Sequence, residues 1–176
     1  MVHNITQVRA GALRAMRYLL KTPTDLQIFN NLQLPLLVCR SLDLLLKNEE
    51  ERIQGLKLIR KMLIVSPDLM SPVLVRCLVA LGESDTVDRI LRACLATLCE
   101  IGVLNPLLLV VCGGVSVITR NVVETHSPRI AESLVGVLLH LLEYPQTRNI
   151  AGVRLDCLAA PYCDFTYRLG LMDKFK

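Results

Sequence analysis

Seven cysteines stand at positions 39, 77, 94, 99, 112, 157 and 163, and the three histidines are His3, His126 and His140. No two cysteines show the C-x-x-C spacing of a zinc knuckle or redox pair, and an odd number cannot pair completely. Cys94 and Cys99, five residues apart on a helix, project about 140° from one another, which argues against a shared ion. Free Cys inside apolar runs behaves as a small hydrophobe, and this usage points to a reducing compartment, cytoplasmic or nuclear. His140, within LLHLLE, reads as an imidazole on a helix flank. The chain has no G-x-S-x-G and no H-E-x-x-H. Gly113-Gly114 lacks the surrounding Gly and Lys of a phosphate-cradling loop. Glu49, Glu50 and Glu51 suit the positive end of a helix dipole. These patterns nominate no catalytic residue, no cofactor and no metal.

What does recur is basic charge. Arg14 and Arg17 lie beside an apolar stripe of Leu13, Met16 and Leu20, spaced i, i+3 and i+7. Lys57 and Arg60 lie in the same way beside Leu56, Ile59 and Leu63. Such spacing puts the apolar residues on one helix face and each basic pair at its border. The plain reading is a solvated face. The functional reading is a protein-binding ladder of Arg14, Arg17, Lys57 and Arg60 for an acidic partner segment, on the surface helical arrays use for recognition. Residues 1–47 support it, with six basic and two acidic side chains against a net charge of +4 for the whole chain.

The elements that would position these pairs come from a repeat. Four segments run from an Arg through an apolar helical pattern to a Pro: Arg9 to Pro23, Arg52 to Pro67, Arg92 to Pro106 and Arg129 to Pro145. Their lengths differ by at most two residues, and the prolines recur after 44, 39 and 39 residues. A helical period near 40 belongs to armadillo and HEAT arrays. The expected fold is all-α, a right-handed helical-repeat solenoid of about three and a half units over residues 1–153, with an irregular segment at 154–176. Long helices are predicted at 5–21, 49–65, 86–103 and 128–143. Asn48, with Glu51 three residues on, has the form of a capping box, and Ser127-Pro128 supplies a cap followed by Pro at the first helical position. Shorter helices are predicted at 25–32, 34–46 and 69–81, and at 107–112 and 115–123 on either side of Gly113-Gly114. The second gap has room for only one good helix, a HEAT-like feature. The chain opens on a long third helix and neither end has a polar cap, the pattern of a piece of a longer array.

Composition agrees. Apolar residues make up 52%, charged residues 20% and aromatics only 4%, with no Trp, so the core must be aliphatic. Residues 101–119 carry no charge and match a bilayer span in length. Asn105-Pro106 and Gly113-Gly114 divide that stretch where the repeat expects turns, so buried helices are the better reading and no transmembrane span is expected.

Beyond the period, particular runs stand out: VRAGALRAMRYLL, ERIQGLKLIRKML, RACLATLCEIGVLNP, GGVSVITRNVV, HLLEYPQTR and APYCDFTYR. In this order they closely resemble the N-terminal armadillo region of the Rictor family over residues 7–168, while the last eight residues, LGLMDKFK, depart from the family pattern. The resemblance implies a non-catalytic scaffold subunit of the rapamycin-insensitive target-of-rapamycin complex. Such a subunit docks on the kinase and on a Sin1-type adaptor and helps select substrates such as Akt. It transfers no catalytic or ligand residue onto this chain.

Other classes fit less well. An importin-like adaptor for basic peptides needs a groove of repeated Trp and Asn with acidic neighbours, whereas this chain has no Trp and a basic ladder. Nucleic-acid binding has thin support from a +4 charge and few stacking aromatics, and an enzyme has no constellation.

Overall fold

The computed structural model describes residues 5–43, 48–84, 88–124 and 128–148. Among them the regular structure is entirely helical. In chain order the helices are α1 (Thr6–Leu19), α2 (Pro23–Asn31), α3 (Leu34–Ser41), α4 (Glu49–Val65), α5 (Pro72–Glu83), α6 (Asp88–Leu104), α7 (Pro106–Val111), α8 (Gly114–Glu124) and α9 (Pro128–Glu143), with a 3₁₀ turn at Pro67–Leu69 before α5. All four long helices stand where the apolar period puts them, and α4 has the predicted bounds. The 154–176 segment and the Ser127 cap lie outside the described residues.

The recurring Pro has a second role besides ending a helix. Pro23, Pro67 and Pro106 each occupy the opening position of the next helical element, where the missing N–H costs nothing. At α2, Thr22 and Asp25 form a reciprocal capping box: the Asp25 N–H donates to Thr22 Oγ1 at 3.2 Å, and the Thr22 N–H to Asp25 Oδ2 at 2.8 Å. The backbone donors of Lys21 and Thr22 hold the Asp25 carboxyl below its usual range. This box starts α2 two residues before the predicted boundary.

Asn48 caps α4 as expected, accepting from the Glu51 N–H at 3.2 Å. The reciprocal half differs. The Glu51 carboxylate is bound by the Asn48 side-chain amide and by Arg9 of α1, so it joins two helices. Between α7 and α8 the chain reverses at Gly113, whose φ of +87° is a conformation a Cβ disfavours. Residues 101–119 therefore form the end of α6, then α7 and the start of α8. No helix among the described residues is long and apolar enough to cross a membrane.

Each class of helix packs on its counterpart one period away. Long helix α1 packs on α4, α4 on α6 and α6 on α9, while α3 packs on α5, α5 on α8, and α2 on the 3₁₀ turn. The core between them is aliphatic, with Leu13, Leu56, Ile59, Leu63, Leu98 and Leu141 all at most 2% exposed and Phe29 the one aromatic in it among the described residues. Each such side chain contributes about 1.5–3 kcal/mol by leaving water. Polar groups add to the stacking. Asn30 donates to the Leu69 carbonyl at 3.0 Å, Asn105 to that of Pro67 at 3.1 Å and Asn121 to that of Gly82 at 3.3 Å. Each bond ties a side chain of one unit to a carbonyl at a helix end or turn of the neighbouring unit.

Candidate protein-binding surface

Burial on α4 decides where a ligand can reach. With α1 on one side and α6 on the other, α4 buries even Glu51, Arg52 and Gln54. Only a narrow stripe stays exposed: Glu49, Glu50, Lys57, Arg60 and Ile64. Arg14 on α1 and Arg89, Arg92, Ala96 and Val103 on α6 are exposed as well. The four predicted residues therefore belong to two adjacent helices, with Arg14, Lys57 and Arg60 exposed and Arg17 half-buried.

They are not an uninterrupted basic ladder. Arg14 reaches Glu50 at 3.4 Å. Arg60 makes a two-pronged contact with Glu100 of α6, its Nε donating to Oε2 at 2.9 Å and its second nitrogen to Oε1. This carboxylate favours the charged guanidinium and raises the pKa of Arg60. Arg17 folds over Tyr18, 5.5 Å from the ring centroid. Lys57 has no hydrogen bond or ion pair among the described residues. In the other direction, Arg89 meets Glu49 at 3.3 Å. The pairs are 36 to 42 positions apart in the chain, about one repeat. Opposite charges one period apart are the signal that reading basic residues alone overlooks.

No group of three His, Cys, Asp or Glu side chains among the described residues could hold a metal ion. A cavity of about 380 Å³ lies where the α2–α3 turn meets the start of α5, lined by Asn30, Gln33, Leu36, Asp68, Met70 and Val73. His140 sits edge-on to Tyr144 at 4.9 Å, as a helix-flank imidazole.

The thiols are structural and unequal. Burial pushes Cys94 up to about 12 and Cys99 to about 11. Cys39 and Cys77 are neighbours on α3 and α5, the Cys77 thiol donating to the Cys39 carbonyl at 4.0 Å, and the proximity of the two thiols lowers Cys77 and raises Cys39. Only the thiolate alkylates, so at pH 8 iodoacetamide is expected to modify Cys77 at least about tenfold faster than Cys94 or Cys99. Peptide mass mapping over time checks this, and equal rates would contradict the assigned burial.

The fold is all-helical among the described residues and consistent with a helical repeat, its long helices joined by packing and by ion pairs one period apart. The family model described as "Rapamycin-insensitive companion of mTOR, N-term" matches residues 1–174, which takes in the first six of the eight residues, LGLMDKFK, expected to depart from the family pattern. The chain is 38% identical over 172 residues to the rapamycin-insensitive companion of mTOR of mouse and of human, which covers 96% of this chain and 10% of each relative. It is 34% identical over 166 residues to protein pianissimo A of Dictyostelium discoideum, covering 93% of this chain and 14% of that protein. The chain belongs to the family of the rapamycin-insensitive companion of mTOR. It spans about a tenth of the length of its mammalian relatives.

Proposed function

We propose that this chain is part of a non-catalytic scaffold in the rapamycin-insensitive target-of-rapamycin complex, acting in growth and Akt signalling. In this reading residues 1–153 form an armadillo/HEAT-like right-handed solenoid in the cytoplasm that binds the kinase, a Sin1-type adaptor and other subunits, and no nucleic acid. The observation that carries it is the family match across 96% of the chain, joined to the packing of equivalent helices one period apart. Stacked helices of this kind leave an extended surface and build no reaction chamber.

On that surface, Arg14, Arg17, Lys57 and Arg60 meet an acidic segment of a partner subunit. Lys57 is its centre, an exposed cation with no carboxylate on it among the described residues. Arg14 and Arg60 frame it, held in place by Glu50 and Glu100. Reversing all four charges would set glutamates against Glu50 and Glu100 and cost stability as well as binding. Lys57→Glu together with Arg17→Glu leaves both cross-unit pairs intact and isolates binding. Exposed charges contribute about 0–1 kcal/mol each to stability, so the double variant should melt within a degree or two of the parent. Its recovery of kinase-complex subunits in a pull-down should fall severalfold, and the parent's recovery should fall with added salt. Equal recovery at low and physiological salt would remove this surface from the account.

A further inference from the structure

Cys94, Cys99 and Cys112 are buried, whereas Cys39 and Cys77 are half-buried. Those two meet across the contact between α3 and α5. The Cys39 thiol donates to the Val73 carbonyl, one helical turn before Cys77, at 3.8 Å. The Cys77 thiol donates in return to the Cys39 carbonyl at 4.0 Å. Each sulfur lies against the other residue's helix, so the two side chains point across one gap rather than apart. A disulfide requires that orientation. Solvent reaches the gap, because the helical neighbours Leu36 and Arg40 on α3 and Val73, Arg76 and Ala80 on α5 are exposed. Two other groups bear on Cys77. Asp43, one turn after Cys39, opposes its ionisation, and Cys94 of α6 is near enough to feel its charge. Cys94 is 0% exposed, and its thiol is held on the core side by the Leu78 carbonyl at 3.2 Å. Cys39 is the neighbouring thiol that an oxidant in solution can reach.

We propose that Cys39 and Cys77 form an oxidation site for a small hydroperoxide, hydrogen peroxide being the simplest, and that its product is a reversible disulfide joining α3 to α5. Cys77, the thiol lowered by its neighbour, reacts first as the thiolate. Its sulfur takes one peroxide oxygen as the O–O bond breaks, giving a sulfenic acid and a hydroxide that picks up a proton. Cys39 then attacks that sulfur. The S–S bond forms, the S–O bond breaks, and the departing hydroxide leaves as water with the Cys39 proton. Two thiols lose two electrons and two protons, and one peroxide becomes two waters. The bond joins residues 38 positions apart, so it closes a loop around α4 and locks the first unit to the second. A reducing thiol reopens it, the behaviour of transient disulfides in reducing compartments. The pair lies on the short helices and makes no use of the surface centred on Lys57.

The test is to expose the full chain to hydrogen peroxide at neutral pH, block the remaining thiols and map tryptic peptides without reductant. Residues 22–40 and 77–89, which carry the two cysteines, should appear joined within one chain as the dominant disulfide, and dithiothreitol should release them. In Cys39→Ser the sulfenic acid on Cys77 should persist and label with dimedone at least about tenfold more than in the parent. The oxidised parent should melt a few degrees above the reduced one, since the cross-link restricts the unfolded chain. Absence of the joined peptides after prolonged exposure would overturn the proposal. So would a bond from Cys77 to Cys94 or to a second chain, pairing that stays as selective in guanidinium, or an oxidised form that melts below the reduced one.

Discussion

Leu56→Asp and Leu98→Asp are each expected to abolish cooperative thermal unfolding of the whole chain. Leu56 is 2% and Leu98 0% exposed, on the two central long helices. An unpaired carboxylate placed there has no donor to meet it and costs several kcal/mol, roughly the size of the ~5–15 kcal/mol that keeps a domain folded. The damage should travel, since α4 packs on α1 and α6, and α6 packs in turn on α9. A unit that depends on its neighbours for its buried face cannot fail alone. Melts followed at 222 nm should show a sloping loss of signal for both variants. Midpoints within a degree or two of the parent would disprove the core assignment.

Arg9→Met is expected to destabilise more than Glu51→Gln, although both break the same ion pair. Glu51 is the buried partner, its side chain 1% exposed against 16% for Arg9, and the two groups meet at 3.0 Å. Removing Arg9 leaves the Glu51 carboxylate in the core against the Asn48 side-chain amide. A buried charge stranded in this way costs about 3–5 kcal/mol. Glu51→Gln removes the buried charge itself and leaves Arg9 near enough to the surface to turn to water, so its cost should be smaller by a clear margin. Denaturant titration of the two variants gives the order directly. The reverse order would mean that the guanidinium, rather than the carboxylate, is the group that depends on the pair.

Helix placement was legible in the sequence because the apolar stripes of the long helices are sharp and their ends are marked. Asn48 caps α4, and prolines open the elements that follow α1, α4 and α6. The Gly113 reversal was legible for a similar reason, since two glycines between aliphatic runs leave little else for the chain to do. Short elements were less visible. The Thr22–Asp25 box acts through two side chains flanking a proline, and an apolar pattern that begins at Leu26 does not announce it. Burial on α4 was the larger miss. Amphipathic patterning assigns Glu51, Arg52 and Gln54 to water, yet α4 is flanked on both sides and buries all three. Arg9, one repeat away, meets Glu51, while Arg52 donates to the Asp43 carbonyl at 2.9 Å and Gln54 to the Glu50 carboxylate at 2.8 Å. Contacts one repeat away turned part of a ladder of basic residues into alternating charge, while Lys57 meets no carboxylate among the described residues.

The role proposed for this chain is that of a scaffold segment that engages the target-of-rapamycin kinase complex. The direct measurement is quantitative affinity purification of the tagged 176-residue chain from cells, with the kinase and the Sin1-type adaptor counted by mass spectrometry against Leu56→Asp as the unfolded control. The account predicts enrichment of both subunits with the parent chain, lost with the unfolded control and reduced by Lys57→Glu with Arg17→Glu. Recovery of neither subunit by a chain that melts cooperatively would contradict it.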